Sequence, residues 1–294
     1  MKLLFTAPVD FSHWIVRDFD ALINCRWLEV WDRKNLPRGE DVSIWVVNPK
    51  QGFIVEEDAL DHFPALKLLV TPSIGISHVK LDILQERGIA FRSLADRRED
   101  LEKITAPSEF TFLLLLERLR RPPARELDGK RVGLIGRGRI GRKLTSYCTL
   151  FGADVFYYDP YVDAPGRRTL KQIFATCDAV IVCCASTQET RSIINGGLLK
   201  RMKPQSILIN TARGDIIVER DLVAFAKLRP DVRIAVDVVS GEENGAADYN
   251  LLRRAGMLVT HHVAGETVDS RTKAAKIVYS IVQEWLNAQK RDSR

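Results

Sequence analysis

The chain has 294 residues, of which 46% are apolar and 28% charged, and carries a formal net charge of +6. That length suits two domains of ordinary size, with enough hydrocarbon for real cores. No apolar run reaches the ~20 residues of a membrane helix, and the basic residues are too scattered for a nucleic-acid stripe, so the mild positive charge fits small anionic substrates. Five cysteines are present (Cys25, Cys148, Cys177, Cys183, Cys184) with no C-x-x-C pair. Neither a disulfide framework nor a metal site is expected from them, and a reducing cytoplasm fits best. The N-terminus has the look of a signal start, but Asp10 and His13 follow too soon, and it reads as a first strand.

In chain order, strands are expected at Lys2–Thr6, Val42–Val47, Leu66–Val70 and Ile89–Phe91, with helices at Trp14–Ile23 and Val79–Arg87, the second stopping at Gly88. Ala106–Leu119 is a strong helix whose apolar residues cover most faces, so it is expected to be buried on several sides. A second series follows. Strands are expected at Val132–Ile135, Asp154–Tyr158, Ala179–Cys184, Ile207–Asn210, Val232–Val236 and Leu258–Thr260. Helices are expected at Ile140–Phe151, Leu170–Thr176, Leu198–Met202, Glu219–Leu228 and Val268–Gln289. Alternating strand and helix with apolar strands predicts α/β architecture with parallel sheets.

Gly136-Arg137-Gly138-Arg139-Ile140-Gly141 lies between an expected strand and an expected helix. There the first glycine makes the tight turn, the second lets backbone approach a pyrophosphate, and the third lets helix pack on strand. The helix N-terminus then presents unpaired N–H groups to phosphate. Asp159 ends the next strand, eighteen residues after Gly141. A carboxylate there accepts from ribose hydroxyls and repels a 2′-phosphate, so NAD is expected rather than NADP. Arg137 is a cation within the loop, able to touch the pyrophosphate or a 2′-phosphate.

From about Leu66 onward the chain resembles the D-isomer-specific 2-hydroxyacid dehydrogenases. The likeness rests on Glu126-Leu127-x-Gly129-Lys130, Tyr158-Asp159-Pro160-Tyr161, Met202-Lys203-Pro204, Ile209-Asn210-Thr211-Ala212-Arg213-Gly214, Val236-Asp237-Val238 and Thr260-His261-His262-Val263-Ala264-Gly265. The resemblance implies two doubly wound parallel-sheet domains: a Rossmann NAD-binding domain over 97–269 and a discontinuous flavodoxin-like substrate domain over 1–96 plus 270–294. It implies oxidoreduction between a D-2-hydroxy acid and a 2-keto acid, and a cytoplasmic homodimer. Only four residues separate Arg121 from Glu126, where the family carries a longer dimer arm.

Hydride transfer to a keto acid needs a cation for the carboxylate, an acid for the new alkoxide and a nearby nicotinamide. Arg213, beyond an expected strand end, can clamp a carboxylate with its planar fork, and the resemblance makes it the substrate arginine. His262 falls on the family's catalytic histidine; His261 stands where the family usually has proline, so two histidines compete. Glu242, five residues after Asp237, has the spacing of the carboxylate that orients this histidine. Glu243 is its rival, and a solvated acidic loop is the bland reading. Asp237 resembles the contact to the nicotinamide carboxamide, with Thr211, Ala212 and Ala264 also on the cofactor side. Ser73, Ile74 and Gly75 match a loop whose backbone N–H groups hold the substrate carboxylate. Lys50 could take a second anionic group, although a solvated lysine is the plainer reading. Glu109 and Thr105 fall near the family stretch that opens the helix after the first domain. An NAD(H)-sensing binding protein of the same family is the alternative function. Formate dehydrogenases pair the histidine with glutamine, against Glu242, whereas phosphite oxidation shares the Arg, Glu and His set.

Overall fold

The computed structural model describes residues 1–8, 13–242 and 245–292. Contacts divide the chain into two units, Met1–Ile104 with the segment from Thr267 onward, and Thr105–Glu242 with Ala246–Glu266.

In the first unit, β1 (Lys2–Phe5), β2 (Asn24–Trp27), β3 (Val42–Val46), β4 (Leu68–Thr71) and β5 (Ala90–Ser93) form a parallel sheet in the order β2-β1-β3-β4-β5. Successive side chains of a strand point to opposite faces. Leu3, Phe5, Ile44, Val46, Leu68 and Val70 therefore pack on one side, with Ile15 and Phe19 of α1 (His13–Leu22) and with Val278, Ile281 and Val282 of the chain's last helix. Leu4, Trp45 and Leu69 pack on the other, with Leu60 of α2 (Glu57–Leu60) and Leu84 of α3 (Leu81–Glu86). Each fully buried aliphatic side chain contributes roughly 1.5–3 kcal/mol relative to exposure, which is why a sheet covered on both faces reads as continuous apolar runs. A short helix, α4 (Arg98–Leu101), follows. No strand was expected at 24–27. Its four residues alternate between exposed and half-buried at the sheet edge, and Trp27 is held there by stacking on Phe5 at 4.7 Å.

The second unit opens with α5 (Ala106–Leu119), which packs on α6 (Arg139–Leu150), β9 (Ile207–Asn210) and β10 (Arg233–Val236). Burial on several sides is observed: Leu114, Leu115 and Leu119 are buried and Phe110, Phe112 and Leu116 partly so, while Leu113 stands out at 57% exposed. With β6 (Arg131–Ile135), β7 (Asp154–Tyr158), β8 (Ala179–Val182) and β11 (Leu258–Val259), the sheet is parallel in the order β11-β10-β9-β8-β6-β7. The order of strand addition reverses between β6 and β8, since β7 is added on one side of β6 and β8 onward on the other; outside the carboxyl ends at such a switch point these sheets bind ligands. Helices α7 (Leu170–Thr176), α8 (Gly196–Leu199), α9 (Glu219–Leu228) and α10 (Tyr249–Arg254) complete the unit. The helix expected at 198–202 starts two residues earlier, because the Asn195 side chain accepts from Gly197 and Leu198 N–H and so caps it. Strand β8 stops at Val182, leaving Cys183 and Cys184 in the turn beyond it. No helix had been expected at α10. The last helix, α11 (Val268–Asp292), belongs to the first unit. Among the described residues, no helix is long and apolar enough to cross a membrane, and no cluster of three metal-ligating side chains occurs.

Candidate active site

Gly136 follows β6 with φ +100°, a left-handed value that glycine adopts without penalty. A Cβ there would lie 2.8 Å from the Cys184 backbone, and one at Gly141 would lie 2.4 Å from the Gly136 carbonyl. Both glycines are thus required by packing. Gly138, the residue before α6, is different: a Cβ there meets nothing within 4 Å. Open space beside a helix N-terminus is what a pyrophosphate needs. Arg139 and Ile140 form the first turn of α6, with Ile140 against the core. Asp159 ties the site together. Its Oδ2 accepts from Arg137 N–H at 2.8 Å and its Oδ1 from Tyr161 N–H at 2.9 Å, which fixes the carboxylate at the end of β7 beside the glycine turn. The Arg137 guanidinium lies over the Tyr157 ring, 4.6 Å from its centroid, rather than extending along the turn. These residues fit a dinucleotide.

The ends of β9, β10 and β11, adjacent in the sheet, carry the remaining groups. After β9, the Asn210 side chain clasps its own turn, accepting from Ala212 N–H and donating to the Arg213 carbonyl. Thr211 Oγ1 lies 2.7 Å from Thr111 Oγ1 of α5. Arg213 spends one of its donors on the Ala212 carbonyl, at 2.6 Å. A Cβ on Gly214 would lie 2.2 Å from the Val239 backbone, so the Arg213 turn is seated directly on the turn that leads to Glu242.

After β10, Asp237 is fully buried. Its Oδ1 accepts from Thr260 Oγ1 at 2.5 Å and Val263 N–H at 2.9 Å, and its Oδ2 accepts from Ala264 N–H at 2.9 Å. The carboxylate expected to face the nicotinamide is therefore also the anchor of the loop that carries both histidines. His262 sits in that loop at φ +53°, a conformation costing a non-glycine residue of order 1 kcal/mol. Its N–H donates to the Asp237 carbonyl at 2.7 Å.

The ring of His262 approaches Glu242, Nδ1 to Oε2, at 2.6 Å. Glu242 Oε1 accepts from Val239 N–H at 2.7 Å and from the Tyr249 hydroxyl at 2.9 Å. Its side chain is 18% exposed, so the solvated-loop reading of Glu242 does not hold. Burial by itself would raise the Glu242 carboxyl's pKa. Hydrogen bonding and charge from His262, with the Val239 and Tyr249 donors, outweigh that and hold it below the usual carboxylate value. Glu243, the rival, lies outside the described residues. His261 turns elsewhere: its Nε2 is 2.6 Å from Arg253 Nη2 and its ring lies against Tyr249, centroids 4.4 Å apart. Sequence reasoning missed Tyr249 and Arg253 because it missed α10. The available signal was Asp248, whose side chain caps the helix by accepting from Leu251 N–H at 2.9 Å, ahead of the Leu251-Leu252 pair.

In the first unit, Ser73, Ile74 and Gly75 follow β4. Ser73 Oγ donates to the Gly75 carbonyl at 2.7 Å and lies 2.9 Å from Thr71 Oγ1, which is in turn 2.9 Å from His78 Nε2. Ile74 is 46% exposed. Lys50 follows β3, and its N–H donates to the side chain of buried Asn48 at 3.0 Å.

Comparison with known proteins bears on this arrangement. The profile of the D-isomer specific 2-hydroxyacid dehydrogenase NAD binding domain matches residues 102–264, more than half of the chain. Erythronate-4-phosphate dehydrogenase of Hahella chejuensis is 32% identical over 238 residues, covering 79% of this chain and 60% of the relative. A putative 2-hydroxyacid dehydrogenase of Bacillus subtilis is 32% identical over 164 residues, covering 54% and 48%. The chain thus spans about half to three fifths of the length of these relatives. Among solved structures, NAD+-bound 3-phosphoglycerate dehydrogenase of Entamoeba histolytica aligns with a TM-score of 0.81 at 18% identity, covering 98% of this chain and 95% of that one. D-lactate dehydrogenase of Aquifex aeolicus, solved with NAD and lactic acid, also aligns at 0.81, with 23% identity and coverage of 98% and 96%. Those two show a shared fold. With the glycine turn and Asp159 arranged for a dinucleotide and the matched profile spanning them, the chain belongs to the D-isomer specific 2-hydroxyacid dehydrogenase family and carries its NAD-binding domain.

Proposed function

We propose that the protein interconverts a D-2-hydroxy acid and a 2-keto acid with NAD, using Arg213, Glu242 and His262. The observation that carries this reading is the 2.6 Å contact between His262 and a buried Glu242, on the turn against which Gly214 packs. Gly136, Gly138, Gly141 and Asp159 would hold the dinucleotide, which when bound as NADH supplies the hydride. In keto-acid reduction the Arg213 fork pairs with the substrate carboxylate and draws electron density from the adjacent carbonyl. Protonated His262 then gives the proton on Nε2 to the carbonyl oxygen as it becomes the hydroxyl. Glu242, holding Nδ1, fixes which ring nitrogen faces the substrate and compensates the imidazolium charge. Oxidation runs the same proton back onto Nε2.

The test is NADH and NADPH absorbance loss with a panel of 2-keto acids: glyoxylate, hydroxypyruvate, pyruvate, 2-ketoisocaproate, phenylpyruvate and phosphohydroxypyruvate. At least one is turned over, with NADH preferred. Arg213→Ala loses orders of magnitude in kcat/KM while NADH binding persists. His262→Asn abolishes turnover and His261→Asn does not. No turnover with any acid, or the histidine result reversed, refutes the reading. Exposed Leu113, Leu150 and Phe151 on α5 and at the end of α6 support a homodimer formed through that face.

A further inference from the structure

We propose that Tyr249 is a positioning residue for the Glu242–His262 pair: its hydroxyl aims the carboxylate at the ring and sets how tightly the pair holds its proton. This rests on the reading of that pair as the proton-transfer apparatus.

Tyr249 is the first residue of α10, and both ends of its side chain are engaged. Its ring lies against His261. An arginine can only donate, so His261 Nε2 accepts from Arg253 Nη2, which also donates to the Val259 carbonyl at 3.3 Å. Ring, imidazole and guanidinium thereby fix the direction of the hydroxyl, which donates to Glu242 Oε1 at 2.9 Å. That oxygen also takes Val239 N–H, so Oε2 is turned to His262. Burial first, and the Glu242 charge next, push the Tyr249 phenol well above its usual value, so it remains a donor throughout the working pH range.

The sign of its effect follows from electrostatics. A hydroxyl with its hydrogen on Glu242 places positive potential beside the pair and competes with imidazolium for the carboxylate's charge. Removing it makes the pair hold its proton more tightly. Among the described residues, the charged groups near this turn include Asp237 at the end of β10, Glu219, whose carboxylate accepts Ser240 N–H at 3.2 Å, Asp248 at the cap of α10, and Arg253. None of them replaces a donor to Oε1.

The experiment is a pH titration of the full chain by 15N NMR with labelled histidine. The five histidines include His262, assigned through the loss of its signals in His262→Asn. Tyr249→Phe keeps the ring against His261 and removes only the hydroxyl. In it the pair's midpoint rises by about half a pH unit, a fraction of the worth of a hydrogen bond to a charged group, and kcat for the best keto acid falls several-fold with KM little changed. In Glu242→Gln the midpoint falls, since the compensating charge is gone. A fall in Glu242→Gln with no shift in Tyr249→Phe overturns the role of Tyr249 alone and leaves it packing on His261. No shift in either variant overturns the pair itself.

Discussion

Replacing Asp237 by asparagine changes one atom's chemistry without opening a cavity, which makes its consequence calculable. The wild-type carboxylate is fully buried and accepts from Thr260 Oγ1, Val263 N–H and Ala264 N–H. An asparagine can keep its oxygen at the Oδ1 position, leaving its NH2 facing the Ala264 N–H. The lost charge-assisted bond is worth about 1.5–3 kcal/mol and the stranded buried donor about 1–3 kcal/mol more. The two surviving bonds weaken from ionic to neutral acceptors. Allowing for the charge no longer buried, Asp237→Asn should cost about 3–5 kcal/mol, a large share of the roughly 5–15 kcal/mol stability of a domain. Because the loss falls on the loop holding His262 in its left-handed conformation, it should appear locally before it appears globally. Urea unfolding gives the total, and native-state hydrogen exchange at Val263 and Ala264 gives the local part. A loss below about 1 kcal/mol with both amides still protected would refute the assignment of Asp237 as the loop's anchor.

Gly138→Ala should melt with the wild type, since its Cβ enters open space, yet bind NADH about tenfold or more weakly by isothermal titration, a loss of roughly 1.4 kcal/mol. Gly136→Ala should instead be destabilised by several kcal/mol in thermal melts, from its +100° φ and the Cys184 backbone at 2.8 Å; equal melting of the two variants would contradict the geometry. Asp231 is held far below its ordinary pKa, chiefly by hydrogen bonds from Arg229, whose Nε and Nη2 donate at 2.7 and 2.8 Å. A depressed folded pKa stabilises above the unfolded value near 4 and fades as pH falls below it. Arg229→Met should therefore lose about 1 kcal/mol at pH 7, after discounting for solvent screening of this partly exposed pair. The deficit should narrow in urea melts repeated below pH 4, and a pH-independent deficit would point to lost packing. If the exposed face around Leu113 joins two copies, Leu113→Asp should sediment as a monomer where the wild type sediments as a dimer, and identical sedimentation would exclude that face.

The α/β class, most element positions and the nucleotide turn were legible in the chain itself, because each rests on local physics. Strands buried on both faces must be apolar throughout, helices show their caps, and Gly136 and Gly141 stand where only glycine fits. Family motifs also pointed to Arg213, Asp237, Glu242 and His262 as candidate site residues. What the sequence could not supply depends on partners distant along the chain. Strand β2 is held at its edge by Phe5, and α10 is short enough that its cap is its main signal. The choice between neighbours was likewise tertiary: His261 and His262 are adjacent, yet one accepts from Arg253 and the other meets Glu242. The resemblance of Val236-Asp237-Val238 to the family motif marks Asp237 only as a contact to the nicotinamide. Only the folded loop shows that three donors from residues 260–264 converge on it, since hydrogen-bond convergence is a property of three dimensions and leaves no periodicity in one.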